Sequence, residues 1–193
     1  MTNLPLQNKL ELALISWLRQ FGGTIAPELL TDEAGLFDDP TAFVNNPIAD
    51  GDRQVLAKWP AGFNPFANLT WYPGHCAVDM TAVPRCVVTC AQLGGDISYA
   101  GFDAGDVEVL HLSKSDDPIA HGVRHQALRD LLQQGQLWAI QAVVNAPESG
   151  PDTRAVQGFG LDALEFKGQL EGRDEKTSQH GSKLTLAITA HLE

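Results

Sequence analysis

Apolar residues near the start of the chain recur every three or four positions, which is the spacing of the buried face of an amphipathic helix. In the segment NKLELALISWLRQF this stripe consists of Leu10, Leu14, Trp17, Leu18 and Phe21. Gly22 and Gly23 follow directly. Because glycine commonly stands just beyond the end of a helix, the sequence predicts one N-terminal helix that stops at this pair.

Two later segments alternate as extended strands do, with successive side chains on opposite faces of a sheet. The segment RCVVTCAQL is apolar or small on both faces, one of which carries Cys86, Val88 and Cys90. The segment GDVEVLHLS repeats this pattern with Val107, Val109, Leu110 and Leu112. The sequence predicts two largely buried strands that pair as a hairpin.

Two further strands are predicted near the C-terminus. ALEFKGQL alternates apolar Leu164, Phe166 and Leu170 with polar residues, and KLTLAITAHL does the same with Leu184, Leu186, Ile188 and Leu192. Alternation of this kind is typical of a strand with one exposed face. The polar segment EGRDEKTSQHGS joins the two strands as a loop.

The segment between the two strand pairs favours helix. In SDDPIAHGVRH, Asp117 suits the capping position and Pro118 the first turn, where its missing N–H costs nothing. The apolar stripe of this helix is predicted to be Ile119, Val123, Leu128, Leu131 and Leu132. Residues 136–144 favour a second helix over a strand, because their apolar residues also recur at three and four.

Residues 24–84 follow neither period. Prolines, glycines and isolated aromatics alternate there, and a segment this long without regular structure is uncommon inside a compact domain. We interpret it as an irregular insertion or arm that orders on contact with a partner. The aromatic side chains predicted to form contacts between subunits are Trp59, Phe63, Phe66, Trp71 and Tyr72.

These elements predict a single α+β domain over residues 1–193. We expect a mainly antiparallel sheet with helices packed on one face, together with the proline- and aromatic-containing arm. A parallel nucleotide-binding sheet is excluded, because strands and helices do not alternate strictly along the chain.

The composition argues against two classes of function, nucleic-acid binding and membrane insertion. The net charge of −11 disfavours a sequence-independent grip on nucleic acid, which needs clustered cations. No apolar run approaches the ~20 residues that cross a bilayer, and the N-terminus lacks the pattern of a signal peptide. We therefore expect a protein made in the cytoplasm that does not bind membranes.

The strongest candidate for chemistry is the cluster of Asp116, Asp117, His121 and His125. The two histidines are four residues apart, so they share a helix face as a metal-binding pair would. A third ligand is not evident, and the glutamate of the metalloprotease motif is missing between them. We interpret the aspartates as the start of a helix, and leave open a metal site or a histidine pair that contacts a neighbouring subunit.

Other catalytic signatures are weak or absent from the sequence. Cys86 and Cys90 lie about 13 Å apart along an extended strand, which favours buried free thiols. Cys76 follows His75, but adjacent residues of an extended segment point apart. The sequence contains neither a phosphate-binding glycine loop nor a G-x-S-x-G motif. We expect no catalytic residue and no cofactor.

The order of elements resembles the small structural proteins of tailed bacteriophages. A short amphipathic helix, strands ending in VEVLHLSKSDDPIAHGVRHQALRDLL, a helical LWAIQAVVNAP and a final KLTLAITAHL are most similar to tail terminator, or tail-completion, proteins. The resemblance covers residues 86–145 and 183–192. The insertion at 24–84 departs from the compact pattern of that family.

The resemblance implies a non-enzymatic virion protein of a phage or prophage. Such a protein forms a homo-oligomeric ring, commonly a hexamer, at the head-tail neck, where it caps the tail tube and joins it to the connector. DNA would pass through without specific binding. The alternatives are another head-tail connector or baseplate subunit, or a small metal-dependent enzyme that uses Asp116, Asp117, His121 and His125.

Overall fold

A computed structural model describes eight stretches of the chain and two single residues of a turn. They are residues 6–19, 21–25, 64–74, 84–93, 102–114, 118–133, 159–174 and 179–192, with residues 176 and 178. Two helices and six strands lie within them. In chain order these are α1 (Leu6–Arg19), β1 (Thr24–Ile25), β2 (Thr70–Pro73), β3 (Arg85–Leu93), β4 (Phe102–Lys114), α2 (Pro118–Gln133), β5 (Phe159–Asp174) and β6 (Gln179–Leu192).

The six strands form one mixed sheet in the order β1-β2-β3-β4-β6-β5. The long strands β3, β4, β6 and β5 pair antiparallel with one another in that order, which confirms the two predicted hairpins, β3 with β4 and β5 with β6. At the other edge β1, β2 and β3 run parallel. The sequence did not predict this parallel edge, because β1 and β2 belong to the segment that was interpreted as an arm.

The two faces of the sheet differ in polarity. Val88, Val109 and Leu184 lie side by side in the register and are all buried, so they belong to the core face. The opposite face carries ion pairs between neighbouring strands. Lys183 Nζ lies 2.6 Å from Glu108 Oε1 on this polar face. A shift of register by one residue would exchange the two sets, so this polarity fixes the pairing.

Helix α1 packs against β2 and β3. Its buried side chains confirm the predicted stripe, with the exception of Trp17, whose side chain lies outside the described part of the chain. The buried residues are Leu10, Leu14, Ile15 and Leu18, and Phe21 follows them at the end of the helix. Gly22 and Gly23 both have positive φ, 139° and 88°, which explains why the helix stops at this pair.

A buried glutamate joins α1 to the sheet. Glu11 is 3% exposed, and its Oε1 accepts a hydrogen bond of 2.8 Å from the backbone N–H of Cys90. Strand β2 ends at Pro73, opposite Val88, so no described strand continues beside Cys90 on that side. Glu11 therefore supplies the acceptor that a longer β2 would have provided.

Replacing Glu11 by alanine should leave the Cys90 N–H buried without an acceptor. We expect the free energy of unfolding to fall by about 2 kcal/mol, as measured by urea denaturation. The matched variant Glu11→Gln keeps a carbonyl oxygen at the same position and should lose less than about 1 kcal/mol. Equal losses in the two variants would show that this hydrogen bond contributes nothing measurable.

Part of the predicted arm belongs to the core. Residues 64–74 form a turn followed by β2, and Phe66, Trp71 and Tyr72 are at most 2% exposed. The Phe66 and Trp71 rings meet edge to face at 5.8 Å, and the Trp71 indole donates a hydrogen bond to the Gly22 carbonyl. The prediction that these three aromatics form an exposed contact surface is therefore wrong. Trp59, Phe63 and the remainder of 26–63 and 75–83 lie outside the described residues.

Helix α2 begins at Pro118, as the sequence predicted, and contacts β4, β5 and β6. Its predicted apolar stripe is wrong in the first half. Ile119 is 81% exposed and Val123 is 39% exposed, whereas His121 and His125 point into the protein. The face that carries Leu128 and Leu132 continues through these two histidines, because all four positions follow the helical period. Asp116, Asp117 and residues 136–144 lie outside the described part of the chain.

Candidate functional site

Four histidines from three elements meet beneath α2. His111 lies on the core face of β4, His121 and His125 face the sheet from α2, and His180 lies on β6 opposite Ser113. The His111 and His121 rings are stacked, with centroids 4.4 Å apart and planes 7° from parallel. The His121 and His180 centroids are 5.4 Å apart. We call these four residues the histidine cluster.

Ser113 links two rings of the histidine cluster. Its Oγ lies 2.7 Å from His121 Nδ1 and 3.2 Å from His111 Nε2, and all three side chains are buried. A hydroxyl donates one proton and accepts through its lone pairs. One of these ring nitrogens can therefore accept from Ser113 while the other donates to it. The arrangement is satisfied when the accepting nitrogen is unprotonated, so it favours neutral imidazole.

His125 has a different partner. Its Nε2 lies 2.8 Å from Glu171 Oε1 on β5, an ionic contact whose angles are not those of a good hydrogen bond. Around the histidine cluster, the buried atoms His111 Nδ1, His125 Nδ1 and Ser182 Oγ meet no hydrogen-bond partner among the described residues. Such atoms are uncommon in folded proteins, so this region is polar and incompletely satisfied.

Burial and like charge disfavour protonation of His111 and His121. Burial holds the pKa of His111 well below its usual range, and the positive forms of His121, Arg124 and His125 lower it further. Burial lowers the pKa of His121 to about 4, assisted by His180, His125 and Arg124 and opposed by Glu171. Two unit charges about 4 Å apart repel by about 4 kcal/mol at an effective dielectric constant of about 20, so the stacked rings do not readily become charged together.

The sign of the resulting pH dependence follows from these shifts. His121 binds a proton near its ordinary pKa of about 6.5 when unfolded, but only near pH 4 when folded. Between these values the unfolded chain holds more protons, so stability rises with pH. The contribution of neutral His121 is complete above about pH 6.5 and is lost as the pH falls toward 4.

The geometry limits what the cluster can do chemically. Ser113 and His121 have the spacing of a nucleophile and its base, yet Ser113 is only 2% exposed and offers no path for a substrate. The stacked rings of His111 and His121 cannot direct lone pairs at one ion. Within the described ranges, no three or more His, Cys, Asp or Glu side chains are placed to hold a metal.

The structure describes two of the four predicted site residues, His121 and His125. His121 and His125 share a helix face as predicted, but that face is buried, so they do not form a surface pair for a neighbouring subunit. Asp116 and Asp117 lie outside the described residues, and the metal-enzyme hypothesis that needs them stays a prediction. Stoichiometric zinc, manganese or iron that is lost on His121→Ala would support that hypothesis.

Sequence reasoning missed His111, Ser113, His180 and Glu171. The segment VEVLHLS did carry a signal, because strict alternation places His111 and Ser113 on the face of Val107 and Val109. Polar residues at consecutive core positions of a strand indicate a buried polar contact. His180 and Glu171 give no comparable signal, since only strand pairing brings them near α2.

The cysteines behave as predicted where the structure describes them. Cys86 and Cys90 are buried free thiols. Burial raises the pKa of Cys86 far above its usual range, although Arg124 opposes this shift. Burial raises the pKa of Cys90 to about 12, with further contributions from Glu11 and Asp106. Neither thiol is a reactive nucleophile at neutral pH. Cys76 lies outside the described residues.

Comparisons with known proteins give little further information. No family model and no curated protein matches this chain. Among solved structures, a chain from the virion of a native gene transfer agent particle aligns with 64% of this chain and 78% of its own length, with 12% identity and a TM-score of 0.43. A likeness this remote supports no argument about function. Neither described helix is long and apolar enough to cross a bilayer.

Proposed function

We propose that this protein is a non-enzymatic structural protein of a phage or prophage virion. More specifically, we propose that it is a ring-forming tail terminator at the head-tail neck, which caps the tail tube and joins it to the connector. The partners would be further copies of the chain, in a hexamer, with the tail tube and connector proteins. The proposal is supported by the sequence resemblance and by the position of exposed apolar side chains.

The described parts of the segments that carry the resemblance form one contiguous unit of the structure. Strands β3, β4 and β6 are adjacent in the sheet, and α2 covers β4 and β6. Strand β4 pairs with β6 along the whole length of β4, although α2 and β5 separate the two strands in the chain. The likeness therefore concerns a folded unit and not merely a set of separate sequence segments.

The observation that carries the proposal is a pair of apolar features on opposite sides of the sheet. In the described residues, the exposed large apolar side chains are Ile119, Val123 and Leu170. Ile119 and Val123 line a groove between α2 and the turn at 64–68. We call it the α2 groove, and its lining residues are Asn64, Pro65, Ala67, Asn68, Ile119, Ala120, Val123 and Arg124.

Leu170 is an isolated apolar projection on β5, 67% exposed. It lies opposite Lys183 in the register, and Lys183 bonds Glu108 on the polar face. Gly168 and Gly172 are its neighbours on that face, and a Cβ added to either would meet nothing within 4 Å. No adjacent side chain on β5 therefore covers Leu170.

Leu170 and the α2 groove cannot meet within one protomer, because α2 lies on the core face of the sheet and Leu170 on the other. A contact between them joins two copies through different surfaces. Heterologous contacts of this kind generate closed rings when the rotation between copies closes, and open filaments when it does not. An apolar side chain seated in an apolar groove with a polar rim is also the anatomy of a protein interface.

Electron microscopy of the purified protein mixed with tail tubes tests the proposal. Wild-type protein should form rings at tube ends. Leu170→Glu should abolish rings, because it places a charge in the apolar contact, and Ile119→Asp should do the same from the groove side. The matched control Gln169→Glu adds the same charge at the adjacent exposed position and should assemble normally.

Three results would contradict parts of this proposal. Wild-type protein that stays monomeric at high concentration and does not associate with tail tubes would contradict the tail terminator role. Normal rings from Leu170→Glu would contradict the proposed contact alone. Association with connector or baseplate assemblies in place of tube ends would identify a different virion component.

A further inference from the structure

We propose that the histidine cluster is an acid-sensitive latch that holds the first half of α2, residues 118–126, on the sheet. Mild acid would release this half while the second half and the sheet stay folded. The latch goes beyond the assembly role and does not depend on it. The argument rests on which side chains attach each half of α2.

The two halves of α2 are attached by different chemistry. The second half is held by apolar side chains, namely Ala127, Leu128, Leu131 and Leu132. In residues 118–126, the buried side chains are His121 and His125, whereas Ile119 and Val123 point outward. Attachment of the first half therefore depends on contacts of two imidazoles with Ser113, His111, His180 and Glu171.

The contacts that join His121 to Ser113 and His111 require neutral rings. The ionic contact of His125 with Glu171 carries no such requirement. The Ser113 hydroxyl donates its proton to one of two ring nitrogens, Nδ1 of His121 or Nε2 of His111. When both rings are protonated, both nitrogens become donors and the hydroxyl proton has no acceptor between them. The stacked rings would then also carry like charges at a centroid separation of 4.4 Å. Separation of α2 from β4 relieves both effects.

The charged groups around the cluster act on this response in both directions. Arg124 on α2 is positive and opposes protonation, and His180 on β6 adds a further imidazole. Glu171 on β5 favours protonation of His121, which partly offsets the effect of Arg124. Cys86 on β3, whose pKa burial raises, contributes no charge. The low pKa of His111 and His121 agrees with a stacked pair of rings that is neutral when α2 is closed and takes up protons when it is open.

Opening would change two surfaces. It would displace Ile119 and Val123 and so disrupt the α2 groove, which under the proposed function would couple subunit contacts to pH. It would also admit solvent to the histidine cluster. The second effect is independent of assembly and can be measured on the isolated protein.

Hydrogen exchange of the full-length protein, followed by mass spectrometry at pH 7.5 and 5.0 and corrected for intrinsic rates, tests the latch. A site that takes up one proton on opening changes the opening equilibrium about tenfold per pH unit below its open-state pKa. We expect protection of residues 118–126 to fall at least about tenfold at pH 5.0. Protection of 127–133 and of α1 should change little.

Two charge-neutralising variants should act in opposite directions. Arg124→Gln removes a positive neighbour, which raises the pKa of His111 and His121 in the closed state and should weaken the acid response. Glu171→Gln removes the compensating carboxylate and should strengthen it. A merely structural role for these residues would not produce opposite shifts in the pH profile.

A double variant removes the titration of the two rings that contact Ser113. His121→Asn with His111→Gln retains a polar atom near each of these positions but cannot be protonated there, so protection of 118–126 should depend on pH much less than in the wild type. The latch is overturned if wild-type 118–126 stays protected at pH 5.0, or if 118–126, 127–133 and α1 lose protection together. Shifts of the same sign in Arg124→Gln and Glu171→Gln would overturn it as well.

Discussion

Replacing Trp71 by alanine is expected to lower the free energy of unfolding by about 3–5 kcal/mol, the loss usual for a buried tryptophan. The side chain is completely buried on β2, and its ring meets the ring of Phe66 edge to face. Its indole N–H also donates a 2.9 Å hydrogen bond to the carbonyl of Gly22. The substitution would remove the side chain that connects β2 to the end of α1.

Urea denaturation followed by circular dichroism gives the difference directly. Trp71→Phe keeps an aromatic ring but loses the indole donor, and should therefore lose less than Trp71→Ala. Asn68→Ala, at an exposed position of the preceding turn, serves as the control and should stay within about 0.5 kcal/mol of wild type. A loss under about 1 kcal/mol in Trp71→Ala would contradict the conclusion that Trp71 is a core residue and would favour the prediction from sequence that it forms an exposed contact.

Replacing Gly23 by alanine should lower the free energy of unfolding by about 2–5 kcal/mol. The residue has φ of 88°, where side chains other than hydrogen are strained by about 1–2 kcal/mol. An added Cβ would also lie 2.6 Å from the carbonyl oxygen of Leu69 and 2.6 Å from Nε1 of Trp71. Overpacking against backbone typically costs a further 1–3 kcal/mol or so, because backbone moves less easily than a flexible side chain.

Gly172→Ala is the matched control for Gly23→Ala. Gly172 lies in strand β5, its φ is not positive, and an added Cβ meets nothing within 4 Å. Alanine there should be neutral or should stabilise by up to about 1 kcal/mol, because it restricts the unfolded chain. Thermal and urea unfolding of both variants measure the contrast. Equal effects at the two positions would contradict the account of the turn after α1.

The histidine cluster and the exposed apolar residues are two aspects of one helix. In the first half of α2, polar imidazoles occupy the buried face and apolar side chains occupy the exposed face, which reverses the usual pattern. A helix with this reversed pattern buries less apolar surface than a helix with the usual pattern. The proposals account for both faces, since the outer one supplies a subunit contact and the inner one responds to pH.

Much of the secondary structure could be predicted from sequence. The alternation in RCVVTCAQL, GDVEVLHLS and KLTLAITAHL predicted β3, β4 and β6, because a half-buried strand needs a period of two whatever it pairs with. The periodic stripe of α1 and the proline at position 118 predicted two helices for the same local reason. Hairpin pairing followed, since strands near in sequence usually pair.

The tertiary structure decided the features that depend on distant segments. Strand β2 adds to β3 in parallel, so Phe66, Trp71 and Tyr72 became core residues and not the contact surface expected of an arm. The sequence also did not determine which face of α2 is buried. A stripe of residues through Ile119 and a stripe through His121 both fit a helical period. What selected the second was the presence of Ser113 and His180 on the sheet beneath it. Local sequence sets the period of an element, but only packing against other elements chooses which face is buried.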